Sequence, residues 1–149
     1  MIDEEALMRR ALDQARRCPD HGDVPIGAVV SKGGEVVAEA GNERELRQDP
    51  TAHAEVLALR AASERLGTWR LEGCALYVTL EPCAMCAGAV VLARVDRIVF
   101  GAADPKAGFV GSLGDLVRDP RLNHRAEVTD GVLAEESGEL LRSFFRERR

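Results

Sequence analysis

Apolar positions near the start of the chain follow the three- and four-residue spacing of a helix. The residues that carry this spacing are Leu7, Met8, Ala11, Leu12 and Ala15. They predict an amphipathic helix over residues 3–17, with its apolar stripe facing a core. Pro19 and Gly22 interrupt the pattern, so we expect the helix to end near residue 18.

Two β-branched runs follow, over residues 26–31 and 35–40, and Gly33 and Gly34 separate them. Two glycines between such runs are typical of a β-hairpin. Residues 41–50 are polar, and we expect them to form a loop.

The middle of the chain alternates between helical and strand-like patterns. Thr51 is a suitable N-cap for a helix that runs to Leu66, which would place His53 and Glu55 in its first turn. Residues 74–80 form an apolar run that is typical of a buried strand.

A further helix is expected to open at Glu81 and Pro82, because proline suits the first position of a helix. Cys83 and Cys86 would then share one face of this helix, since they are three positions apart.

The last third of the chain predicts two more strands and a final helix. Residues 97–102 and 126–129 carry the strand patterns, and residues 133–149 carry a helical one. The glycine-rich residues 101–113 are expected to form a surface loop. This alternation indicates an α/β fold with one mixed sheet of about five strands and helices on both faces. The 149 residues show no repeat or linker, so we expect one domain, residues 1–149.

Composition narrows the class of protein. Hydrophobic residues make up 46% of the chain and charged residues 30%, a balance typical of soluble globular domains. No apolar run approaches the roughly 20 residues that a membrane span needs. The acidic N-terminus is unlike a secretory signal, so we expect a cytoplasmic protein that does not bind a membrane. Four cysteines in such a protein favour metal binding or free thiols over disulfides.

The net charge of −5 argues against a protein that is basic as a whole. Residues 1–93 hold 10 Lys and Arg against 15 Asp and Glu, whereas residues 94–149 hold 10 of each. The end of the chain, residues 144–149, is locally basic. It suits either a compact RNA footprint or an ordinary helix end whose arginines face the negative pole of the helix dipole.

Two short motifs carry the chemistry. His53 and Glu55 are two positions apart, and Cys83 and Cys86 follow a proline as Pro-Cys-Ala-Met-Cys. One imidazole and two thiolates are three ligands for zinc, and a catalytic zinc has three protein ligands and an open fourth position. The pattern H-x-E … P-C-x-x-C is the signature of zinc-dependent nucleobase deaminases. Glu55 is then the expected proton shuttle between water, a ring nitrogen and the leaving amino group.

Two other interpretations of the cysteines remain open at the level of pattern. A strand followed by C-x-x-C at a helix start also suits a thioredoxin-like redox pair. A closed structural zinc site would need a fourth ligand, for which Cys18 and His21 are the candidates. Cys74 opens an apolar strand and is expected to be a buried small hydrophobe.

The chain resembles the bacterial tRNA-specific adenosine deaminases, in the cytidine deaminase-like superfamily, over nearly its whole length. The segments that carry the resemblance are residues 49–55, 77–89, 99–104, 111–113, 123–125 and 144–146. The metal motif is common to the superfamily, whereas the later segments are more particular to the tRNA enzymes.

The resemblance implies a three-layer αβα fold, a homodimer, and conversion of the wobble adenosine of a tRNA anticodon stem-loop to inosine. It implies one Zn²⁺ per subunit, held by His53, Cys83 and Cys86, with Glu55 as the catalytic residue. It also implies contacts to the target nucleotide or the flanking RNA at a further set of positions: Asn42, Ala54, Asp104, Lys106, Asn123, Phe145, Arg148 and Arg149. The pattern alone favours a turn residue after Gly41 as the interpretation of Asn42.

Two alternative functions follow from the same residues. The chain could deaminate a free base or nucleoside, such as guanine or cytosine, with the same zinc and glutamate chemistry. It could also be a non-catalytic zinc or RNA-binding module, although metal binding alone has no use for the Glu55 carboxylate beside the histidine.

Overall fold

Five strands form one mixed sheet in the computed structural model, which describes residues 2–148. The strands are β1 (Gly27–Lys32), β2 (Glu35–Gly41), β3 (Cys74–Leu80), β4 (Arg97–Ala102) and β5 (Glu127–Thr129). Their order in the sheet is β2-β1-β3-β4-β5. Strand β1 runs antiparallel to both β2 and β3, whereas β3, β4 and β5 are parallel. The predicted mixed sheet is therefore confirmed.

Helices cover both faces of this sheet. They are α1 (Glu4–Arg17), α2 (Arg44–Arg47), α3 (Ala54–Leu66), α4 (Ala84–Leu92) and α5 (Ala134–Glu147), and a 3₁₀ turn (Cys18–His21) follows α1. Helix α1 packs against β1, β2 and β3, and α5 packs against β3 and β4. Helix α3 packs against β1 and β2 on the other face and contacts α4. The three-layer αβα architecture is confirmed.

Burial on both faces explains why the strands are apolar at successive positions. In β3, Leu76 and Val78 belong to the larger core cluster beneath α3 and α4, whereas Tyr77 between them belongs to the cluster beneath α1. Side chains of a strand alternate between faces, so a sheet covered on both sides needs an uninterrupted apolar run.

Glycines permit the tight β1–β2 hairpin and the close packing of α1. Gly33 and Gly34 have φ values of 61° and 83°, which suit the two-residue turn that the sequence predicts. A Cβ atom on Gly27 would lie 1.8 Å from the carbonyl oxygen of Ala11, so α1 can approach β1 only over a glycine.

The predicted loop over residues 41–50 instead contains the short helix α2. The buried carboxylate of Asp23 accepts hydrogen bonds from the N–H groups of Glu45 (2.6 Å) and Leu46 (3.1 Å). The Asp23 side chain therefore accepts hydrogen bonds from the free N–H groups at the start of α2, although more than twenty residues separate them along the chain. Local patterns do not reveal such a partner, so they predict a loop where the structure has a helix.

No helix within residues 2–148 is long and apolar enough to cross a membrane.

The parallel pairing of β3 and β4 determines where a site can form. Leu80 and Ala102 are paired at the carboxyl ends of these two strands, so the segments that follow them leave the sheet at the same edge. Open α/β sheets bind ligands at this edge.

Candidate active site

His53 and Glu55 lie at the start of α3. His53 is the N-cap residue, with extended backbone angles, and its carbonyl accepts a hydrogen bond from the N–H of Leu57 (3.0 Å). Glu55 is in the first helical turn and is buried. The prediction that Thr51 caps this helix is wrong, because its hydroxyl donates to Asp49 (2.8 Å) and α3 begins only after His53.

Cys83 and Cys86 lie at the start of α4. This helix also begins later than predicted: Glu81 and Pro82 precede it, Cys83 is its N-cap, and Cys86 lies in its first turn. The two cysteines are the N-cap and the third helical residue, and their sulfur atoms lie within 4.8 Å of each other, so they lie on the same side of the helix start. Helix N-termini stabilise thiolates, so both motifs lie where anionic or metal-bound groups are favoured.

The fold brings the two motifs together. His53 Nδ1 lies 3.6 Å from the Sγ atoms of both Cys83 and Cys86. Within residues 2–148, these three side chains are the one group of histidine, cysteine and acidic residues whose ligand atoms all lie within 4.8 Å of one another. The donor set of one imidazole and two thiols fits a zinc ion that keeps an open position.

Cys18 and His21 have other partners. The buried Cys18 thiol donates to the carbonyl groups of Gln14 and Ile26, and His21 Nδ1 lies 2.7 Å from a carboxylate oxygen of Asp23. The structure therefore gives no support to a fourth ligand from this turn. Cys74 is buried at the start of β3, as predicted.

The ionisation of the ligand residues is set by their mutual contacts. The hydrogen bond from Cys86 lowers the pKa of Cys83 to about 3, and a hydrogen bond from His53 lowers it as well. The contact with Cys83 raises the pKa of Cys86 and also raises that of His53. A bound cation would replace the protons that these groups share. Burial raises the pKa of Glu55.

A cavity of about 640 Å³ opens beside this cluster. Seven of the residues that the sequence predicts for the site line it: Asn42, His53, Ala54, Glu55, Asp104, Lys106 and Phe145. Four positions on one face of α5 also contribute, because Gly138, Leu141, Arg142 and Phe145 recur at helical spacing. Leu141, Arg142 and Arg44 also line the cavity, although no sequence motif distinguishes them.

Two predicted RNA-contact residues, Asn123 and Arg148, lie elsewhere. Asn123 and Arg148 are exposed and are not among the described residues that line the cavity. The guanidinium carbon of Arg148 lies 4.5 Å from the centre of the Phe144 ring. Arg149 lies outside the described residues. The two aromatic neighbours divide as their helical spacing predicts, with Phe144 buried and Phe145 half exposed.

Asn42 combines two roles. It lines the cavity, yet its Nδ2 donates to the carbonyl of Val24 (3.2 Å) and its Oδ1 accepts from the N–H of Arg44 (3.1 Å). The second bond is that of a turn residue, so the turn interpretation is supported by the structure. The proposed contact with a nucleoside remains a prediction.

Glu81 is a buried residue to which the sequence pattern assigns no role beyond opening a helix. It is 3% exposed, and its carboxylate accepts hydrogen bonds from the N–H groups of Asp104 (2.9 Å), Val110 (3.0 Å) and Ser112 (3.0 Å). The Ser112 hydroxyl donates a fourth. Burial acts to raise the pKa of Glu81, but these bonds outweigh it and hold the pKa below its usual value. Its partners lie 23 to 31 residues away, so no local signal could have identified them.

Comparison with known proteins is consistent with this geometry. The sequence pattern of the MafB19-like deaminase family matches residues 2–149, so the fold and the site define a deaminase. The tRNA-specific adenosine deaminase of Bacillus subtilis is 54% identical over 149 residues, which cover 100% of this chain and 92% of that relative. The chain belongs to the family of tRNA-specific adenosine deaminases.

Solved structures of deaminases share this fold. A tRNA:A34 deaminase, studied for A-to-I editing at the wobble position of transfer RNA, matches with a TM-score of 0.88 and 45% identity, over 91% of this chain and 99% of that chain. The guanine deaminase from Nitrosomonas europaea matches with a TM-score of 0.82 and 26% identity, over 97% of this chain and 85% of that chain.

Proposed function

We propose that the protein converts the wobble adenosine of a tRNA anticodon loop to inosine, by hydrolysis that releases ammonia. One observation carries this proposal: the buried Glu55 carboxylate and His53 of the metal-binding cluster open onto the same cavity, which basic and aromatic side chains border. An anticodon loop presents an unpaired base, so little energy is spent in bringing it into such a cavity. A tRNA substrate would place the protein in the cytoplasm.

His53, Cys83 and Cys86 would hold one Zn²⁺ per subunit. Their ligand atoms already converge, and two thiolates with one imidazole are a donor set that zinc favours. When bound, the ion would supply Lewis acidity, which makes water a better nucleophile at neutral pH.

Glu55 is the proposed catalytic residue. Its carboxylate accepts a proton from the attacking water and delivers it to N1 of the adenine ring, which makes C6 electrophilic. Oxygen adds at C6, Glu55 moves the second proton to the amino group, and the C6–N6 bond breaks to release ammonia. Burial keeps this carboxylate away from bulk water, so its protons pass to the substrate rather than to solvent.

The cavity wall suits a nucleotide that remains part of an RNA chain. Lys106, Arg44 and Arg142 place positive charge in its lining, where phosphate groups would lie, and the two arginines also form salt bridges with Glu45 and Glu139. Phe145 is half exposed in the same lining and offers a face on which a base can stack. Asn42, Ala54 and Asp104 are the proposed contacts to the nucleotide itself, and Asn123, Arg148 and Arg149 are proposed contacts to the flanking stem-loop.

We also propose that the protein is a homodimer. Helices α3 and α4 border an apolar groove of about 500 Å³, whose lining includes Leu59, Ala89 and Leu92. Leu92 is 71% exposed and Trp69 beside it is 57% exposed. Neighbouring apolar groups with this exposure are typical of protein interfaces, and a second copy of the chain would cover them.

A free-base deaminase is the second candidate. The guanine deaminase from Nitrosomonas europaea shares this fold at 26% identity, so the same scaffold can serve a small base. The positively charged Arg44, Lys106 and Arg142 in the cavity lining favour RNA, because phosphate groups attract such cations more strongly than a neutral base does.

The deciding experiment incubates the purified, zinc-loaded protein with an anticodon stem-loop that contains a wobble adenosine, and in parallel with free adenine, guanine and cytosine. Inosine in the stem-loop, with no ammonia from the free bases, is the expected result. Ammonia from a free base alone would establish the second candidate, and no product from any substrate would favour a non-catalytic module.

A further inference from the structure

The loop of residues 104–112 is fastened to the segment that leads from β3 into α4. The four hydrogen bonds that Glu81 accepts come from both ends of this loop. Backbone bonds run in parallel with them: the N–H of Phe109 donates to the carbonyl of Pro82 (2.8 Å), and Cys83 pairs with Gly108 as an isolated antiparallel bridge. One buried carboxylate therefore lies between a metal-ligand segment and a loop that follows β4.

Gly108 makes room for this carboxylate. A Cβ atom at Gly108 would lie 2.3 Å from Glu81 Cδ and 2.4 Å from its Oε2, far inside contact distance. The backbone of Gly108 thus packs directly against the Glu81 carboxylate, and only a glycine leaves room for it.

The same loop forms part of the cavity wall, through Asp104, Pro105 and Lys106. The Asp104 N–H donates to Glu81, and Asp104 Oδ1 in turn accepts from the N–H of Lys106 (3.0 Å). The backbone positions of the two charged residues at the cavity therefore depend on Glu81, which is itself not among the described residues that line the cavity.

We propose that Glu81 is a positioning residue, whose carboxylate holds the loop of residues 104–112 in the form in which Asp104 and Lys106 meet the RNA. This inference rests on the tRNA activity proposed above. Glu81 does not touch the substrate, and it acts through the loop on the binding of the stem-loop rather than on proton transfer by Glu55.

Glu81→Gln is the sharpest test, because it keeps the size of the side chain and changes only its chemistry. The amide has one acceptor oxygen and one donor nitrogen, whereas both carboxylate oxygens of Glu81 face backbone N–H groups. In either orientation of the amide, at least one N–H of Asp104 or Val110 would face another donor. Loss of a hydrogen bond to a charged group costs about tenfold or more in an equilibrium.

The experiment compares kcat and KM for the anticodon stem-loop, zinc content and thermal unfolding in the wild type and four variants. We expect Glu81→Gln to raise KM about tenfold or more, with full zinc content and kcat within about threefold. Gly108→Ala should reproduce this pattern by displacing the carboxylate. Ser112→Ala removes one neutral donor of the four and should raise KM less. Glu35→Gln, an exposed glutamate at the β1–β2 turn, is the matched control and should leave all four quantities unchanged.

An unchanged KM in Glu81→Gln and Gly108→Ala would overturn the inference, as would loss of zinc or a fall in kcat alone. A general role in stability would lower the unfolding temperature and leave KM unchanged. If Glu81→Gln does not fold, the KM, kcat and zinc content of Gly108→Ala and Ser112→Ala test the inference instead. Failure of the wild type to deaminate the stem-loop would instead refute the proposed function, and the two failures are therefore distinct.

Discussion

Cys83 Sγ lies 3.6 Å from His53 Nδ1, although 30 residues separate the two along the chain. Each is the N-cap of its helix, so both side chains lie at the N-terminal ends of the two helices. The starts of α3 and α4 thus bring together three side chains that could bind zinc. Glu55, two residues after His53, is a carboxylate outside this group.

Replacement of Glu55 should separate metal binding from catalysis. We expect Glu55→Gln to retain its zinc and to lose about 10²–10⁴ in turnover, because the proton shuttle is removed and the ligands are not. Metal analysis and inosine formation on the stem-loop measure the two effects. Glu5→Gln, on the exposed face of α1, is the control, and equal loss of zinc in Glu55→Gln would make Glu55 a ligand instead.

Cysteine variants should distinguish a catalytic zinc from a site closed by the turn after α1. Cys83→Ala should lose both zinc and activity, whereas Cys18→Ala should keep one zinc per chain, since the Cys18 thiol bonds to backbone carbonyls. Zinc stoichiometry measures this directly. A zinc deficit in Cys18→Ala equal to that in Cys83→Ala would contradict the three-ligand site.

Metal removal should lower stability as well as activity. A ligand that binds only the folded chain stabilises it, so a chelator should lower the unfolding temperature and zinc should restore it. Thermal unfolding with and without chelator measures this shift. Cys86→Ala provides the control, since its unfolding temperature should not respond to chelator; a response in that variant would place the metal elsewhere.

Phe144 and Phe145 should give opposite phenotypes. Phe144 is buried, so Phe144→Ala should cost about 3 kcal/mol of unfolding free energy. Phe145 is half exposed at the cavity, so Phe145→Ala should leave stability nearly unchanged and raise KM for RNA about tenfold, because a stacking face is removed. Chemical denaturation and steady-state kinetics measure the two effects, and a destabilised Phe145→Ala with normal KM would assign that ring to the core.

The basic end of the chain should contribute to the salt dependence of tRNA binding. Removal of Arg148 and Arg149 should weaken binding and reduce the slope of log K against log salt by about 0.7 for each phosphate that is no longer neutralised. Fluorescence titrations at several salt concentrations measure the slope. Replacement of Arg16 and Arg17 in α1 by alanine removes the same charge away from the cavity, and an equal weakening there would mean that net charge alone matters.

The strands and the convergence of His53, Cys83 and Cys86 could be predicted because their signals are local. The run over residues 74–80 is apolar except for Thr79, as a strand covered on both faces requires, and the spacing of His53, Cys83 and Cys86 is that of a metal-ligand set. Helix starts were less predictable: Thr51 has the composition of a cap, yet its hydroxyl donates to Asp49 instead.

The remaining errors share one physical cause. Asp23 stabilises the start of α2, and Glu81 holds the loop after β4, through hydrogen bonds to backbone groups more than twenty residues away. Nearly every residue carries a backbone N–H, so the residue type does not reveal which distant carboxylate that N–H will bind. The part of α5 that lines the cavity could not be predicted either, because Leu141 and Arg142 occupy ordinary positions of an amphipathic helix.

The fit between Glu81 and Gly108 has a consequence for redesign. The loop after β4 looks like a separate segment that could be exchanged, since His53, Cys83 and Cys86 lie on other segments. Its anchor Glu81, however, is encoded two residues before Cys83. A transplanted loop would need a glycine opposite that carboxylate and backbone donors at both of its ends, so the exchangeable unit is the loop together with its anchor.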